Sequence, residues 1–286
     1  MHRIKLAKSI GFCSGVRRAI DIAEKTLTSS RNKVYSLGSI IHNPLVIQRL
    51  KQKGLITVKS LDEVERDSTI ILPSHGSPHE VVAAARKKNL KIVDVTCPYV
   101  SSVHKICKSL YQQKLQVIII GDKAHPEVKA LKDLAPSAHI VEDINDTASD
   151  EFSYKKIGII SQTTQAKDKF SKIVSAILEK NSHILEAHIY NTICLDTSKR
   201  QEEVKQLAGD VDTLLVIGSR ASANTKRLLH LGQKVNKRTF LVEDDTSALD
   251  KILKNAKDIG LISGASAPQW LVDAIVKKIK TKNKNI

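Results

Sequence analysis

The chain has 286 residues and a formal net charge of +16, and because only 3% of its residues are aromatic we expect aliphatic cores. This length suffices for two or three domains. No segment approaches the roughly 18 consecutive apolar residues that a membrane span needs, and the first residues lack a signal-peptide pattern, so we expect a cytoplasmic protein.

The first predicted elements form a strand–helix repeat that starts at Cys13. Apolar residues at helical spacing follow this cysteine and predict a helix, and a strand over 34–37 ends at Gly38. Asn43 precedes a proline, a pair that is typical of a helix N-cap and the first helical position. A further strand over 69–72 leads into the loop sequence Ser-His-Gly.

The second repeat starts at Cys97. A strand over 117–120 ends in a glycine, His125 and the proline after it open a helix, and a strand over 157–160 leads into a Ser-Gln-Thr-Thr loop. Cys107 lies on the apolar face of the helix that follows Cys97. A buried cysteine commonly behaves as a small apolar side chain, so we assign Cys107 to the core.

The third repeat starts at Cys194 and continues through a charged helix. Strands over 214–217 and 259–262 follow, and the second of them leads into the sequence Ser-Gly-Ala-Ser-Ala-Pro. The alternation of strands and helices predicts an α/β fold with parallel sheets, in which ligands lie at the carboxyl ends of the strands.

The repeats predict three domains of similar structure. Their bounds are 14–96, 97–190 and 191–286, and residues 1–13 belong to the third. The strand before Cys13 is expected to pair with the sheet of that third domain.

Three of the four cysteines occupy the same place in the repeats. The glycine that ends the next strand follows 25, 24 and 24 residues later, and a polar side chain follows 29, 28 and 28 residues later. The chain contains no CxxC pair and too few cysteines for a disulfide framework. The three thiolates suit a zinc ion with histidine as fourth ligand, or an iron–sulfur cluster with one open iron. The spacing does not decide between them, but the polar surroundings favour a reactive centre.

Uncharged or weakly basic polar residues gather at the predicted strand ends. They are His42, His75, His125, Thr163, Ser222, Asn224 and Ser266. Several stand at helix N-termini, where free backbone N–H groups and the helix dipole favour an anion such as a diphosphate. For the serine, threonine and asparagine members, helix capping is the alternative role.

Glu127 lies in the first turn of a predicted helix. An acidic residue there is stabilised by the helix dipole by about 0.3–1 kcal/mol. Alternatively, exclusion of water would raise its pKa and make it a proton donor at neutral pH. The phosphate-binding patterns GxGxxG and the P-loop are absent, which argues against NAD or ATP as cofactor.

Nine sequence runs, in order from Gly11 to Pro268, resemble the 4-hydroxy-3-methylbut-2-enyl diphosphate reductase (LytB) family. The runs are GFCSGVRRAI, IHNP, SHG, DVTCP, HPEV, SQTT, NTIC with RQ six residues on, SANTKRL and GASAP. The resemblance implies a trefoil of three similar α/β domains with pseudo-threefold symmetry around a central iron–sulfur cluster. This cluster would be of the 4Fe–4S type, held by Cys13, Cys97 and Cys194.

The same resemblance implies roles for the remaining site residues. His42, His75, His125, Thr163, Ser222, Asn224 and Ser266 would bind substrate, and Glu127 with Thr163 would deliver protons. The reaction would be the reductive dehydroxylation of an allylic diphosphate, the last step of the non-mevalonate isoprenoid pathway. Electrons would come from a reduced ferredoxin or flavodoxin system, and the protein would be a monomer or homodimer that binds neither nucleic acid nor membrane.

Two positions depart from the family pattern. Ala223 stands where a second serine is common, and Asp196 stands where a small residue is usual.

Two rival interpretations remain. One is quinolinate synthase, which also resembles a threefold α/β array with one cysteine per unit and an open iron. The HPEV, SANT and GASAP runs favour the reductase over it. A basic nucleic-acid-binding protein with structural zinc would explain the charge, although aromatic residues are not interleaved with the basic ones.

Overall fold

The computed structural model describes residues 2–148, 154–243, 247–254 and 256–284. The strands in chain order are β1 (Arg3–Leu6), β2 (Val34–Leu37), β3 (Leu55–Val58), β4 (Thr69–Leu72), β5 (Lys91–Asp94), β6 (Gln116–Ile120), β7 (His139–Val141), β8 (Lys156–Ser161), β9 (Glu186–Ile189), β10 (Thr213–Ile217), β11 (Thr239–Val242) and β12 (Asp258–Ser263). The helices are α1 (Ser14–Ser29), α2 (Pro44–Gln52), α3 (His79–Lys87), α4 (Pro98–Gln112), α5 (Pro126–Leu134), α6 (Lys167–Lys180), α7 (Leu195–Asp210), α8 (Ala223–Val235), α9 (Ser247–Leu253) and α10 (Gln269–Lys284).

The strands form three four-stranded sheets, and every pairing between neighbouring strands is parallel. The strand orders are β5-β4-β2-β3, β9-β8-β6-β7 and β1-β12-β10-β11. These are one topology repeated three times. The predicted α/β class with three similar sheets is therefore confirmed.

The central strands are continuous apolar runs, as parallel strands covered on both faces require. Strands β4, β6 and β10 are buried along their whole length. Their sequences are TIIL, QVIII and TLLVI, and the predicted strands over 69–72, 117–120 and 214–217 match them to within one residue. The buried core is built mainly from Ile, Leu, Val and Ala, as the low aromatic content predicts.

The strand that leads to each cysteine lies at the edge of its sheet, namely β1, β5 and β9. The pairing of β1 with β12 confirms that the N-terminal strand joins the third repeat. Each cysteine N–H then donates to a carbonyl oxygen in the loop after the neighbouring strand. The pairs are Cys13 with Ala265 at 3.1 Å, Cys97 with Ser74 at 2.9 Å and Cys194 with Thr163 at 2.9 Å.

The chain divides into two compact units. One comprises Met1–Ile20, Ile41–Lys53 and Leu195–Ile286 and holds the sheet of β1, β10, β11 and β12. The other comprises Asp21–Ile40 and Gly54–Cys194 and holds the other two sheets. The three-domain bounds predicted from the sequence stay a prediction. No helix among the described residues is both long and apolar enough to cross a membrane.

Candidate active site

Glu127 is a buried acid held by a single partner residue. It lies at the second position of α5, after strand β6, and is only 2% exposed. Its Oε1 accepts a hydrogen bond from the backbone N–H of Thr163 at 2.6 Å, and its Oε2 accepts one from the Thr163 hydroxyl at 2.7 Å. Because Thr163 follows β8, the neighbour of β6, this pair spans the carboxyl ends of two central strands.

The environment of Glu127 favours its protonated form. Burial raises the pKa of its carboxyl group from 4.5 to about 7, although both hydrogen bonds from Thr163 act in the opposite direction. An acid with a pKa near 7 is divided between its two protonation states at neutral pH. That is the condition for a group that both holds and delivers a proton.

His125 is oriented by the helix that it caps. It is the N-cap of α5, and its Nδ1 accepts a hydrogen bond from the backbone N–H of Glu127 at 3.2 Å. In the neutral imidazole the proton must then reside on Nε2, which becomes the donor. The rings of His75 and His125 meet edge to face with their centroids 6.4 Å apart. The structure thus brings His75, His125, Glu127 and Thr163 together.

In the unit that contains β10 and β12, His42 lies beside the loop that follows β12. The Ser266 hydroxyl donates to the carbonyl oxygen of His42 at 3.4 Å, and the Asn43 side-chain amide donates to the carbonyl oxygen of Ser266 at 2.9 Å. Burial, and to a smaller extent the charge of Lys226, lower the pKa of His42. His42 is therefore a neutral donor at neutral pH.

Ser222 and Asn224 differ in how their side chains are used. Ser222 is the N-cap of α8, and its hydroxyl accepts from the backbone N–H of Thr225 at 3.3 Å, which is the capping role that the sequence left open. Asn224 is 4% exposed, yet neither polar atom of its side chain has a hydrogen-bond partner among the described residues. Burying an amide group without hydrogen-bond partners lowers stability by about 1–3 kcal/mol. The presence of Asn224 at this buried position therefore calls for a functional explanation.

The N-caps of the helices show which residues of the three repeats are structurally equivalent, and they do so better than the spacing from the cysteines. Asn43, His125 and Ser222 are the N-caps of α2, α5 and α8. His42 therefore lies one residue before the cap, although the spacing from the cysteines aligns it with His125. The predicted cap at Asn43 is confirmed, because its Oδ1 accepts from two backbone N–H groups of the first turn.

The cysteines divide into three half-buried thiols and one buried thiol, and none forms a disulfide bond. Cys13, Cys97 and Cys194 each immediately precede a helix, where the dipole favours negative charge. The backbone N–H of Val16 points at the Cys13 sulfur at 3.4 Å, as in sites where N–H groups stabilise a ligating thiolate. Cys107 is fully buried in an apolar cluster, which confirms its place in the core, and this burial raises the pKa of its thiol to about 12.

These thiols fit an iron–sulfur centre in chemistry and in local setting. Cys13 lies in one compact unit, and Cys97 and Cys194 lie in the other. In the described part of the chain, no group of three or more His, Cys, Asp or Glu side chains is arranged to hold a metal ion. The assignment of the three cysteines as cluster ligands therefore stays a prediction.

Sequence reasoning included Arg200 in a family run on a charged helix but did not predict that this residue is buried. Arg200 on α7 is 2% exposed and forms an ion pair of 2.7 Å with Asp196, one helical turn earlier. This pair explains the departure at Asp196, whose negative charge balances a buried guanidinium. The spacing of four residues between an acid and a base was the available signal.

Comparison with known proteins identifies one family over almost the whole chain. Residues 4–280 match the family model described as LytB protein. The chain is 37% identical over 284 residues to the 4-hydroxy-3-methylbut-2-enyl diphosphate reductase of Aquifex aeolicus, covering 98% of this chain and 96% of that protein. It is 38% identical to the protein of the same name from Citrifermentans bemidjiense, covering 99% of both.

Two solved structures are also similar to this chain. The E-1-hydroxy-2-methyl-but-2-enyl-4-diphosphate reductase from Plasmodium falciparum has a TM-score of 0.90 and 32% identity, over 96% of this chain and 87% of that one. An (E)-4-hydroxy-3-methyl-but-2-enyl diphosphate reductase, described as the terminal enzyme of the non-mevalonate pathway, has a TM-score of 0.72 and 36% identity. The match covers 98% of this chain and 100% of that one.

Proposed function

The chain belongs to the LytB family, and from this premise we propose that it is a 4-hydroxy-3-methylbut-2-enyl diphosphate reductase. The reaction is the last step of the non-mevalonate isoprenoid pathway. Substrate takes up two electrons and two protons, its C4–O bond breaks, and one proton leaves with the hydroxyl group as water. The second proton adds to carbon, which gives isopentenyl diphosphate or dimethylallyl diphosphate.

The observation that carries this proposal is the buried pair of Glu127 and Thr163. A reductive dehydroxylation needs an acid that is protonated at neutral pH beside the leaving hydroxyl group. The pKa of Glu127, raised to about 7 by burial, meets that need. When Glu127 is protonated, its O–H can donate to the Thr163 hydroxyl, which then donates to the leaving oxygen. Thr163 lies 2.7 Å from the carboxyl group, so proton transfer within this pair needs only a reversal of the hydrogen bond that the hydroxyl now donates.

We propose that the family's iron–sulfur centre is, in this chain, one 4Fe–4S cluster held by Cys13, Cys97 and Cys194. The three thiols are half-buried, unlike Cys107, and each begins a helix. When bound, the cluster supplies electrons and an open iron site that acts as a Lewis acid towards the C4 hydroxyl group. The protein's own residues bind the diphosphate, exclude water and move the proton.

The diphosphate is assigned to histidine, hydroxyl and amide donors rather than to a cluster of lysine and arginine side chains. These donors are His42, His75, His125, Thr163, Ser222, Asn224 and Ser266. The bond that Nδ1 of His125 accepts leaves Nε2 as the donor of the neutral imidazole, and burial lowers the pKa of His42, which favours its neutral form before the substrate binds. The unpaired amide of Asn224 adds both a donor and an acceptor. Backbone N–H groups at the start of α8 act together with Ser222 and replace the hydroxyl group that Ala223 lacks.

The electron donor is proposed to be a reduced ferredoxin or flavodoxin system. Such small acidic proteins would be attracted by the net charge of +16. Transfer rates that stay constant across ionic strength would contradict this choice, because screening weakens attraction between exposed charges. We further propose a cytoplasmic monomer or homodimer whose partner is the small diphosphate substrate rather than nucleic acid or membrane.

The test is anaerobic purification followed by measurement of iron, acid-labile sulfide and zinc. Substrate and a strong chemical reductant are then added, and the five-carbon diphosphate products are measured. Iron and sulfide together with both products would support the reductase. Zinc without sulfide, and no turnover, would overturn it and favour a zinc-containing nucleic-acid-binding protein, whose binding should fall steeply with salt.

A further inference from the structure

Arg200 is among the largest fully buried side chains of the protein. Its Nη1 donates to the carbonyl oxygens of Ser9 at 2.9 Å and of Ser263 at 2.8 Å, and its Nη2 donates to the carbonyl oxygen of Gly11 at 3.0 Å. A buried guanidinium is costly unless it is paired and hydrogen-bonded. Here its Nε is paired with Asp196, and three carbonyl groups accept from three of its four other N–H donors.

Two of the three carbonyl groups that Arg200 binds belong to the segment that leads into Cys13, and the third belongs to Ser263 at the end of β12. The backbone N–H of Gly11 also donates to the hydroxyl of Ser263 at 2.8 Å. On the same helix, Glu203 accepts from the backbone N–H of Ser9 at 2.8 Å and from its hydroxyl at 3.0 Å. Three side chains of α7, at positions 196, 200 and 203, therefore fix residues 9–11, directly or through Arg200.

The connection into Cys13 is longer than the equivalent connections in the other repeats. Six residues separate β1 from Cys13, whereas two separate β5 from Cys97 and four separate β9 from Cys194. A longer connection has more backbone freedom and needs more contacts to hold it in one conformation.

The two shorter connections are fixed by side chains of their own. Before Cys97, Asp94 accepts a hydrogen bond from the backbone N–H of Thr96 at 2.8 Å. Before Cys194, the Thr192 hydroxyl accepts from the backbone N–H of Ser161 at 2.7 Å. For Cys13, the equivalent contacts come from α7, which begins one residue after Cys194.

We propose that Arg200 is a positioning residue for Cys13. Its guanidinium fixes the backbone of residues 9–11, and Asp196 balances its charge, so that the Cys13 thiol is held where it can bind the iron–sulfur cluster. This inference rests on the proposed function. Groups that orient metal ligands from outside the coordination sphere typically change metal affinity about 10- to 100-fold when they are removed.

The experiment compares the anaerobically purified wild-type enzyme with Arg200→Met, which keeps the length of the side chain but removes its charge and its donors. The rate of iron loss to an excess of chelator should rise about tenfold or more in the variant. In the full-length apoprotein, iodoacetamide labelling followed by mass spectrometry should show faster alkylation of Cys13 while that of Cys97 stays unchanged. Arg200→Lys, which keeps the charge without the planar fork of donors, should fall between the two.

Two control variants separate positioning from general loss of stability. Arg3→Gln breaks an exposed ion pair that also connects β1 to β12, and it should leave both readouts unchanged. Val204→Ala removes buried apolar contact from the same helix but keeps the hydrogen bonds of Arg200, so its effect on Cys13 alkylation should be smaller than that of Arg200→Met. If Arg200→Met does not fold, Asp196→Ala tests the same network and should show a smaller change in the same direction.

Iron loss from Arg200→Met within about twofold of the wild-type rate would overturn the inference. Parallel changes in the alkylation of Cys13 and Cys97 would overturn it as well. Either result in an enzyme that carries iron and sulfide and converts substrate would leave the proposed function intact. Wild-type protein without iron would instead contradict the proposed function, while the alkylation comparison would still test the position of Cys13.

Discussion

Replacing Glu127 by glutamine should remove the proposed proton donor while keeping its shape. The glutamine carbonyl can still accept the hydrogen bond from the backbone N–H of Thr163, which lies 2.6 Å from the native Oε1. The amide group cannot release a proton to the Thr163 hydroxyl. Loss of a positioned general acid commonly costs about 10²- to 10⁴-fold in rate, and we expect kcat to fall within that range.

The same substitution should change how stability depends on pH. The pKa of Glu127 rises from 4.5 to about 7 in the folded protein because burial removes the carboxylate from water. Since a pKa shift of one unit corresponds to about 1.4 kcal/mol, ionising the buried carboxyl group lowers the free energy of unfolding by roughly 3 kcal/mol. Between these values the folded state binds more protons than the unfolded state. The contribution of Glu127 to stability is therefore greatest below pH 4.5 and is lost as the pH rises through about 7.

Infrared difference spectroscopy of the wild type against Glu127→Gln gives a direct assay. The signal of a protonated carboxyl group should be present in the wild type, disappear as the pH rises through about 7 and be absent from the variant. In urea unfolding, the stability of Glu127→Gln relative to the wild type should increase between about pH 5 and about pH 8, by up to roughly 3 kcal/mol. Iron content should not change.

Either of two results would refute the reasoning about Glu127. A wild-type carboxyl group that titrates near 4.5 would mean that the site is wet and that Glu127 is ionised during turnover. A Glu127→Gln enzyme with near-native kcat would mean that the proton comes from another group, whatever the pKa of Glu127.

Two further variants test the substrate site and the cysteine assignment. Asn224→Ala should raise KM by about 10- to 100-fold, the value of one or two lost hydrogen bonds to a charged group, without lowering the melting temperature. Its control is Asn236→Ala at the C-cap of the same helix, which loses bonds to the carbonyl oxygens of Ala208 and Val211 and should lower stability but not change KM. Cys107→Ala should keep its iron and turnover and lose about 1–2 kcal/mol of stability.

The sequence predicted the repeated elements because each of them carries a local signal. Strands β4 and β6 are apolar at every position after the first, and the cap at Asn43 is marked by the proline after it. The three cysteines could be aligned because each is followed by the same order of strand, glycine and helix. Their equivalent backbone hydrogen bonds in all three repeats give that alignment a structural basis.

Contacts between distant residues carry no such local signal. Arg200 lies 191 residues from Ser9 in the sequence, and the charged pattern of α7 is typical of an exposed helix. Its burial depends on carbonyl groups that only the folded chain brings near it. For the same reason the sequence could propose Thr163 and Glu127 as a pair only through family resemblance. Their direct contact depends on the neighbouring positions of β6 and β8.

The repeated scaffold also explains why Glu127 is paired and Asn224 is not. Both residues occupy the second position of the helix that follows a central strand, in α5 and α8 respectively. The loop residue that meets Glu127 is Thr163, and its equivalent in the third repeat, identified by the bond from the cysteine N–H, is Ala265. Alanine offers no hydroxyl group. Under the proposed function, one backbone position therefore supplies a proton donor with an internal partner in one repeat and an amide available to substrate in another. A symmetric fold can build an asymmetric active site in this way, by changing side chains at equivalent positions.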